Sequence, residues 1–352
     1  MERSARLIDV AESAGVSKAT VSNVFNRPEL VREEVRARVL AAAKAIGYAG
    51  PDPRGRMLSA GRVNAIGVAT GEPLSYFFDD PYARLMMTGI TEVCDAEGIG
   101  VSLISAATES ESVWNIRSAL VDALVLFCLD DAERLIASSR ERRLPFVALA
   151  FGEADETAPA VGIDDALGAR LAARHLVELG HRRFGVLAME FRDGGEGLVT
   201  PERVRAARYL STRDRLDGYL EVLAGAGIDP GSVPVYETRT DTASVGRGLD
   251  TLFAAEHPPT AILAQSDRIA MVALDWFAAR GIDVPGGVSI VGYDGVPESA
   301  LSSPPLTTVL QPIRDIGRRA VRMILDRPNE TLRETLPVEL LVRGSTAAPP
   351  ER

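Results

Sequence analysis

Apolar residues near the start of the chain recur at Leu7, Val10, Ala11 and Ala14, the spacing of one helical face, and Gly15 follows where a left-handed cap closes a helix. Ser17 then stands where a hydroxyl caps a second helix, in which Val21, Val24 and Phe25 share the inner face and Lys18, Ala19, Ser22 and Asn23 the outer one. A third helix is predicted over 32–46, with Val35, Val39, Ala42 and Ile46 closing a small core. The apolar period stops over 49–62, a stretch rich in Gly, Pro and Arg that reads as a linker. From residue 63 onward short apolar runs (AIGVAT, VSLIS, DALVLFCL, PFVALAF) alternate with amphipathic helices. The alternation repeats after Val161, with helices over 165–180, 202–226, 241–255 and 266–281 set between RFGVLAM, VPVYE, TAILAQ and VSIVGYD. Two such series predict two lobes, each a parallel sheet, because every parallel crossover needs a helix packed on the sheet.

The expected fold class is therefore an all-α three-helix head, a hinge, and an α/β two-lobed body with parallel sheets, of binding-protein type. The boundaries read as 1–48 for the head, 49–62 for the hinge and 63–345 for the body. Within the body, lobe one is expected over 63–160 plus 311–328 and lobe two over 161–310 plus 329–345.

Composition narrows the function. A 352-residue chain that is 46% hydrophobic and 25% charged is ordinary for a folded protein. The longest apolar run, 123–129, falls far short of the roughly 20 residues that cross a bilayer, and no apolar export signal opens the chain, so a cytoplasmic protein is expected. Cys94 and Cys128 read as small buried apolar residues. Net charge is −10 but uneven: residues 1–60 hold ten basic against seven acidic side chains, which makes that stretch of head and hinge +3 and the remainder −13. A cationic head on an anionic body suits a protein whose head alone touches phosphate.

Catalytic chemistry has little support. Gly-rich nucleotide loops and a Gly-x-Ser-x-Gly elbow are both absent, and His175, His181 and His257 lack metal-ligand spacing. No catalytic residue, metal or cofactor is expected, and the chain does not read as an enzyme. The short side chains on the outer face of the second helix have a different use, since a helix that enters the major groove must be slim enough to approach base edges.

The stretch VAESAGVSKATVSNVFN, followed by Gly47 and Tyr48, resembles the helix-turn-helix head of the LacI/GalR family of bacterial transcription regulators, and the body's motifs extend the resemblance over nearly the whole chain. It implies that Lys18, Ala19 and Ser22 face bases, while Ser17, Thr20 and Asn23 position the helix on phosphates or adjacent edges. It implies too that the hinge folds on DNA, with Leu58 wedged into the minor groove and Arg54 and Arg56 on the flanking backbone. A plain linker is the alternative for Leu58. Two departures weaken local helices: Arg32 replaces the usual capping serine or threonine of the third helix, and Gly55 stands where the family commonly has alanine.

In the body the resemblance places Phe78, Asp80, Pro81, Phe151, Arg215, Ser266, Asp267 and Asp294 around a small effector. Alternatives stay open: Asp267 as a helix cap, Asp294 as a turn former, Arg215 as a surface charge. Phe151 replaces a frequent acid, and Ser266-Asp267 replaces an Asn-Asp pair, so the ligand class spans a sugar, a nucleoside or a related metabolite. The expected function is a sequence-specific DNA-binding regulator, in the sense of a repressor, working as a homodimer on near-palindromic double-stranded operator DNA. The alternative is a solute-binding receptor without catalytic activity.

Overall fold

Among the described residues, three α-helices and a short 3-10 turn (Pro28–Leu30) make up the first of the two units into which the chain divides, Met1–Val63 and Asn64–Arg352. The computed structural model describes residues 5–50, 61–106, 109–127, 132–149, 157–192, 194–326 and 332–351. Helix α1 (Leu7–Ala14) begins where the Arg6 amide donates to Asp9 Oδ2 at 2.7 Å and ends at Gly15, φ 61°. Helix α2 (Lys18–Asn26) starts on Ser17, whose Oγ accepts from the Thr20 amide at 3.0 Å. Helix α3 (Glu33–Ala45) has no side-chain cap from Arg32, and Glu33 and Glu34 in its first turn complement the helix dipole instead. Val10, Ala11, Ala14, Val21, Val24, Val39 and Ala43 form the core. Val35, Ala42 and Ile46 are only partly buried, so the inner edge of α3 rests on Val39 and Ala43. Phe25 meets Tyr48 edge-on at 5.6 Å and closes the open side.

The body's strands are β1 (Ala65–Thr70), β2 (Gly100–Ser105), β3 (Ala123–Phe127), β4 (Phe146–Leu149), β5 (Ala160–Ile163), β6 (Phe184–Ala188), β7 (Gly197–Leu198), β8 (Val235–Glu237), β9 (Ala261–Ala264), β10 (Ser289–Asp294), β11 (Thr307–Leu310), β12 (Arg333–Leu336) and β13 (Glu339–Leu341). They form a six-stranded sheet of order β12-β5-β4-β3-β1-β2 and a seven-stranded sheet of order β13-β11-β10-β9-β6-β8-β7. The first is wholly parallel, and the second is antiparallel only at its edges, where β13 and β7 pair. Longer helices pack on these sheets: α4 (Pro81–Glu97), α5 (Glu109–Ser118), α6 (Ala132–Glu141), α7 (Asp165–Glu178), α8 (Leu210–Gly225), α9 (Thr242–Phe253), α10 (Asp267–Ala279) and α11 (Ile313–Asp326). None of the described helices is long and apolar enough to cross a membrane.

Two expectations need correction. The first lobe does not stop at residue 160: β5 continues the β4 edge, and β12 pairs with β5 from Arg333↔Ala160 to Leu336↔Ile163. The first and last of the three crossings between lobes therefore fall after Ile163 and after Leu336, with the middle one after Leu310, since strand partners and not local composition decide the sheet. The single helix predicted over 202–226 is two, the turn Pro201–Arg205 and then α8. Between them the amides of Arg208 and Tyr209 turn away to donate to Phe191 O at 2.7 and 3.2 Å, a tertiary pull that periodicity does not reveal.

Helices α4 and α11 cross with their backbones in contact. A Cβ on Gly317 would lie 2.5 Å from Met86 O and 3.0 Å from Ile90 N, and one on Gly89 would strike the Arg314 carbonyl. In an open helix Gly→Ala stabilises by about 1 kcal/mol, whereas overpacking costs about 1–3 kcal/mol. Gly317→Ala is therefore expected to destabilise, seen as a lower urea midpoint at an unchanged slope. A raised midpoint would show that the crossing can relax. At the far end of α4, Gly98 carries the left-handed cap and its carbonyl accepts from Asn64 Nδ2 at 2.6 Å. Asn64 also accepts from the Gly100 amide at 2.9 Å and donates its own amide to Asp122 Oδ2 at 2.7 Å.

His175 and His181 are structural. His181 is fully buried between Thr260 Oγ1 (2.9 Å), Ser289 Oγ (3.1 Å) and Ala347 O (2.9 Å), and His175 Nε2 meets Thr346 Oγ1 at 2.9 Å, which fastens the C-terminal segment to lobe two. Cys94 is a buried free thiol, pushed up to about 11 by burial. Cys128 lies outside the described residues.

Candidate functional site

On α2 the outer face is as slim as the sequence suggests. Lys18, Ala19 and Asn23 are exposed, and Thr20 and Ser22 are half-buried. Ser17 Oγ lies 2.8 Å from Thr20 Oγ1, and Ser22 Oγ accepts from Asn26 Nδ2 at 3.2 Å, so the small polar groups are already oriented by their own helix. Such orientation lowers the entropy lost when they meet a rigid polar surface. Arg54, Arg56 and Leu58 lie outside the described residues, as does Phe151.

In the body the segment beyond the carboxyl end of β1 faces those beyond β9 and β10, the place where an open parallel sheet receives a ligand. Asp80 caps α4 with Oδ1, which accepts from the amides of Tyr82 (2.9 Å) and Ala83 (3.2 Å), and turns Oδ2 toward Arg268 Nη1 of lobe two at 3.4 Å. One turn further on, Arg84 Nη2 pairs with Glu298 Oε1 at 2.5 Å. Two ion pairs thus bridge the lobes from the start of one helix. Behind Asp80, Phe127 stacks with Tyr76, Phe77 and Tyr82 at 6.0, 5.7 and 6.1 Å. Pro81 is half-buried, and Phe78 points outward with 66% of its surface exposed.

Arg215 is no surface charge. Its Nε donates to Asp165 Oδ1 at 2.7 Å and its Nη1 to Gln265 O at 2.5 Å, its guanidinium carbon lies 3.8 Å from the Tyr293 ring centre, and Asp294 Oδ1 is 3.8 Å away. Gln265 ties the surrounding loops together, accepting from the Met189 amide at 3.1 Å and donating to Thr212 O at 2.9 Å. Ser266, not Asp267, caps α10, accepting from the Ile269 amide at 3.2 Å. Asp267 is wholly buried and accepts from the amides of Gly295 and Val296, both at 2.9 Å, and from Thr308 Oγ1 at 2.5 Å. Asp294 ends β10 at φ 132°, a conformation a side chain rarely adopts, and is held there by the Asp267 amide (3.2 Å) and Gln311 Nε2 (2.8 Å).

Two carboxylates, Asp165 and Asp294, thus flank one guanidinium, and Asp267 lies behind Asp294. Burial raises Asp165 and Asp267, and raises Asp294 well above the usual carboxylate range, with Arg215 pulling Asp165 and Asp294 back down. The cluster is a hydrogen-bonded floor beneath the loops.

This geometry has counterparts. Residues 6–50 match the model of the bacterial regulatory proteins of the lacI family, and residues 173–346 match a periplasmic binding protein-like domain. An HTH-type transcriptional regulator of Mycobacterium tuberculosis is 38% identical over 99% of this chain and 98% of its own length. This chain belongs to the LacI family. Among solved structures, a LacI-family relative, the lac repressor dimer bound to operator and the anti-inducer ONPF, superposes with a TM-score of 0.78 at 26% identity, covering 98% of this chain and 100% of that one. The regulator CelR in complex with cellobiose gives 0.69 at 27% identity over 97% and 99%. The family is one of transcriptional regulators and not of enzymes, and this member is a helix-turn-helix DNA-binding regulator with a binding-protein-like body.

Sequence reasoning missed several members of this LacI-family cleft. Phe127 was within reach, as the last residue of a strand whose carboxyl end faces the ligand side. Arg268 follows Asp267 directly and carried the same signal. Asp165 and Gln311 had none, because their partners stand 50 residues away at Arg215 and 17 away at Asp294.

Proposed function

We propose that this protein is a repressor that binds a near-palindromic operator as a homodimer, from the cytoplasm, and is switched by a small molecule held between the lobes of its body. The observation that carries the reading is the exposed face of α2, where a lysine and short hydrogen-bonding side chains stand on a capped helix. Lys18, Ala19 and Ser22 meet base edges, Ser17, Thr20 and Asn23 fix the helix on the backbone, and Leu58, Arg54 and Arg56 serve the hinge as a minor-groove wedge and its flanks. In the cleft Asp80, Pro81, Phe78, Phe151, Arg215 and Asp294 contact the ligand, while Ser266 and Asp267 hold the loops that present them. Carboxylates beside an aromatic stack suit a polyhydroxylated or nitrogen-bearing ring: a sugar, a nucleoside or a related metabolite. Such a ligand exchanges its hydrogen bonds for the Asp80–Arg268 pair, and a difference in affinity between lobe arrangements of about 1–3 kcal/mol suffices to change operator occupancy.

Protection mapping of the full-length protein on its own upstream DNA at fixed salt tests this. A two-fold symmetric footprint is expected, with Lys18→Ala weakening it by about tenfold, the value of one base contact. An unprotected region, or a footprint indifferent to Lys18, would overturn the reading.

A further inference from the structure

The two ion pairs that bridge the lobes form a crossed set. From lobe one, Asp80 and Arg84 stand at the start of α4, about one helical turn of 5.4 Å apart. From lobe two, Arg268 on α10 meets Asp80 at 3.4 Å, and Glu298 in the helix Pro297–Leu301 meets Arg84 at 2.5 Å. Each lobe therefore contributes one acid and one base. A slide of one turn along α4 would set Arg84 against Arg268, or Asp80 against Glu298. Like charges disfavour both registers, so the set specifies one way for the lobes to close.

All four side chains are mounted on fixed points. Arg84 Nη1 donates to the carbonyls of Phe78 (3.1 Å) and Asp79 (3.4 Å), which leaves Nη2 aimed at Glu298. Arg268 directly follows Asp267, and Glu298 lies two residues beyond Val296, whose amide Asp267 holds at 2.9 Å, so one buried carboxylate places both lobe-two members. The pairs differ in depth. Asp80 is buried and near enough to the floor to push Asp294 upward, whereas Glu298 borders a groove with Met271, Leu274 and the largely exposed Leu301. A half-exposed pair adds little to folding, yet the balance between lobe arrangements is itself small, so such a pair shifts their populations several-fold. We propose that Arg84 and Glu298 are a latch that holds the ligand-free cleft closed in this one register. That a cleft ligand displaces the inner pair, Asp80 and Arg268, while the latch keeps the register rests on the small-molecule switch proposed above; the latch itself does not. A cleft already held closed also lessens the loss of affinity that an open population imposes on a ligand.

Pulsed electron resonance on the full-length protein, without DNA or ligand, tests the latch by reading the distance between nitroxides on Ser118→Cys of lobe one and Ala255→Cys of lobe two, both exposed positions. The labelled protein carries Cys128→Ala, Cys94 is buried with its thiol pushed up to about 11 and stays unlabelled, and labelled subunits are diluted into unlabelled ones. A narrow distance distribution is expected with the latch intact, and one about twofold broader or more in Arg84→Glu. The double reversal Arg84→Glu/Glu298→Arg should restore the narrow distribution. It does not bring back the bonds from Arg84 to the Phe78 and Asp79 carbonyls, so the rescue isolates the pair with Glu298. Arg322→Glu, which breaks a pair with Glu97 inside lobe one, should change nothing. A thermal melt confirms each fold; should Arg84→Glu melt early, Glu298→Gln takes its place and must broaden the distribution. An unchanged distribution in the single variant, or a broadening that the double reversal leaves in place, overturns the proposal. Neither readout depends on operator DNA or on a cleft ligand.

Discussion

Arg215→Met is expected to lower the stability of the body by about 3–5 kcal/mol, the range for removing one partner of a buried ion pair. Methionine fills much of the same space but leaves Asp165 without its 2.7 Å donor, Asp294 without its nearest positive charge and Gln265 O without its 2.5 Å hydrogen bond. The loss should depend on pH. Burial already raises both carboxylates, and Arg215 is what pulls them down. Without it their folded-state values rise further above the unfolded value, so the folded variant binds protons that the unfolded chain has released. Its stability therefore falls as pH increases from about 5 to 8, by more than that of wild type. Urea titrations at both ends of that range check this, and wild-type midpoints at both would show that the cluster does not rely on Arg215.

The second large effect is expected at Asp267, where truncation and isosteric replacement should part company. Asp267→Ala strips the acceptor from two buried backbone amides and from the Thr308 hydroxyl, and at about 1–3 kcal/mol for each orphaned group the loss should reach about 3 kcal/mol or more. Asp267→Asn keeps an oxygen for the Gly295 and Val296 amides and turns its NH₂ to the Thr308 oxygen, so a loss of about 1 kcal/mol or less is expected. It also removes a buried negative charge from beside Asp294, which should then titrate closer to the ordinary carboxylate range. Equal damage from both substitutions would mean that charge, not hydrogen-bond geometry, is what the turn requires.

The head was legible in the sequence because everything that shapes it is local. Gly15 and Ser17 cap their helices through residues three or four positions away, and the apolar period of α1 and α2 is undisturbed. The body was legible in its alternation but not in its seams. Which sheet a short apolar strand joins depends on a partner such as Ala160 opposite Arg333, and the break before α8 depends on Phe191 O. In the cleft the family resemblance pointed to Arg215, Asp267 and Asp294, yet it could not separate those that face the opening from those that hold the floor. Asp267 and Asp294 are told apart by whose hydrogen bonds their oxygens accept, and those donors lie 17 or more residues away.

Helix α4 has a mechanical meaning. Its first turn carries Asp80 and Arg84, each paired to the opposite lobe, and its last residue abuts Gly98, whose carbonyl clasps the side chain of Asn64, the body's first residue. At 1.5 Å per residue its 17 residues make a strut about 25 Å long, braced midway by the glycine crossing with α11. The ion pairs of the cleft and the residue at which the body begins therefore sit at opposite ends of one rigid element.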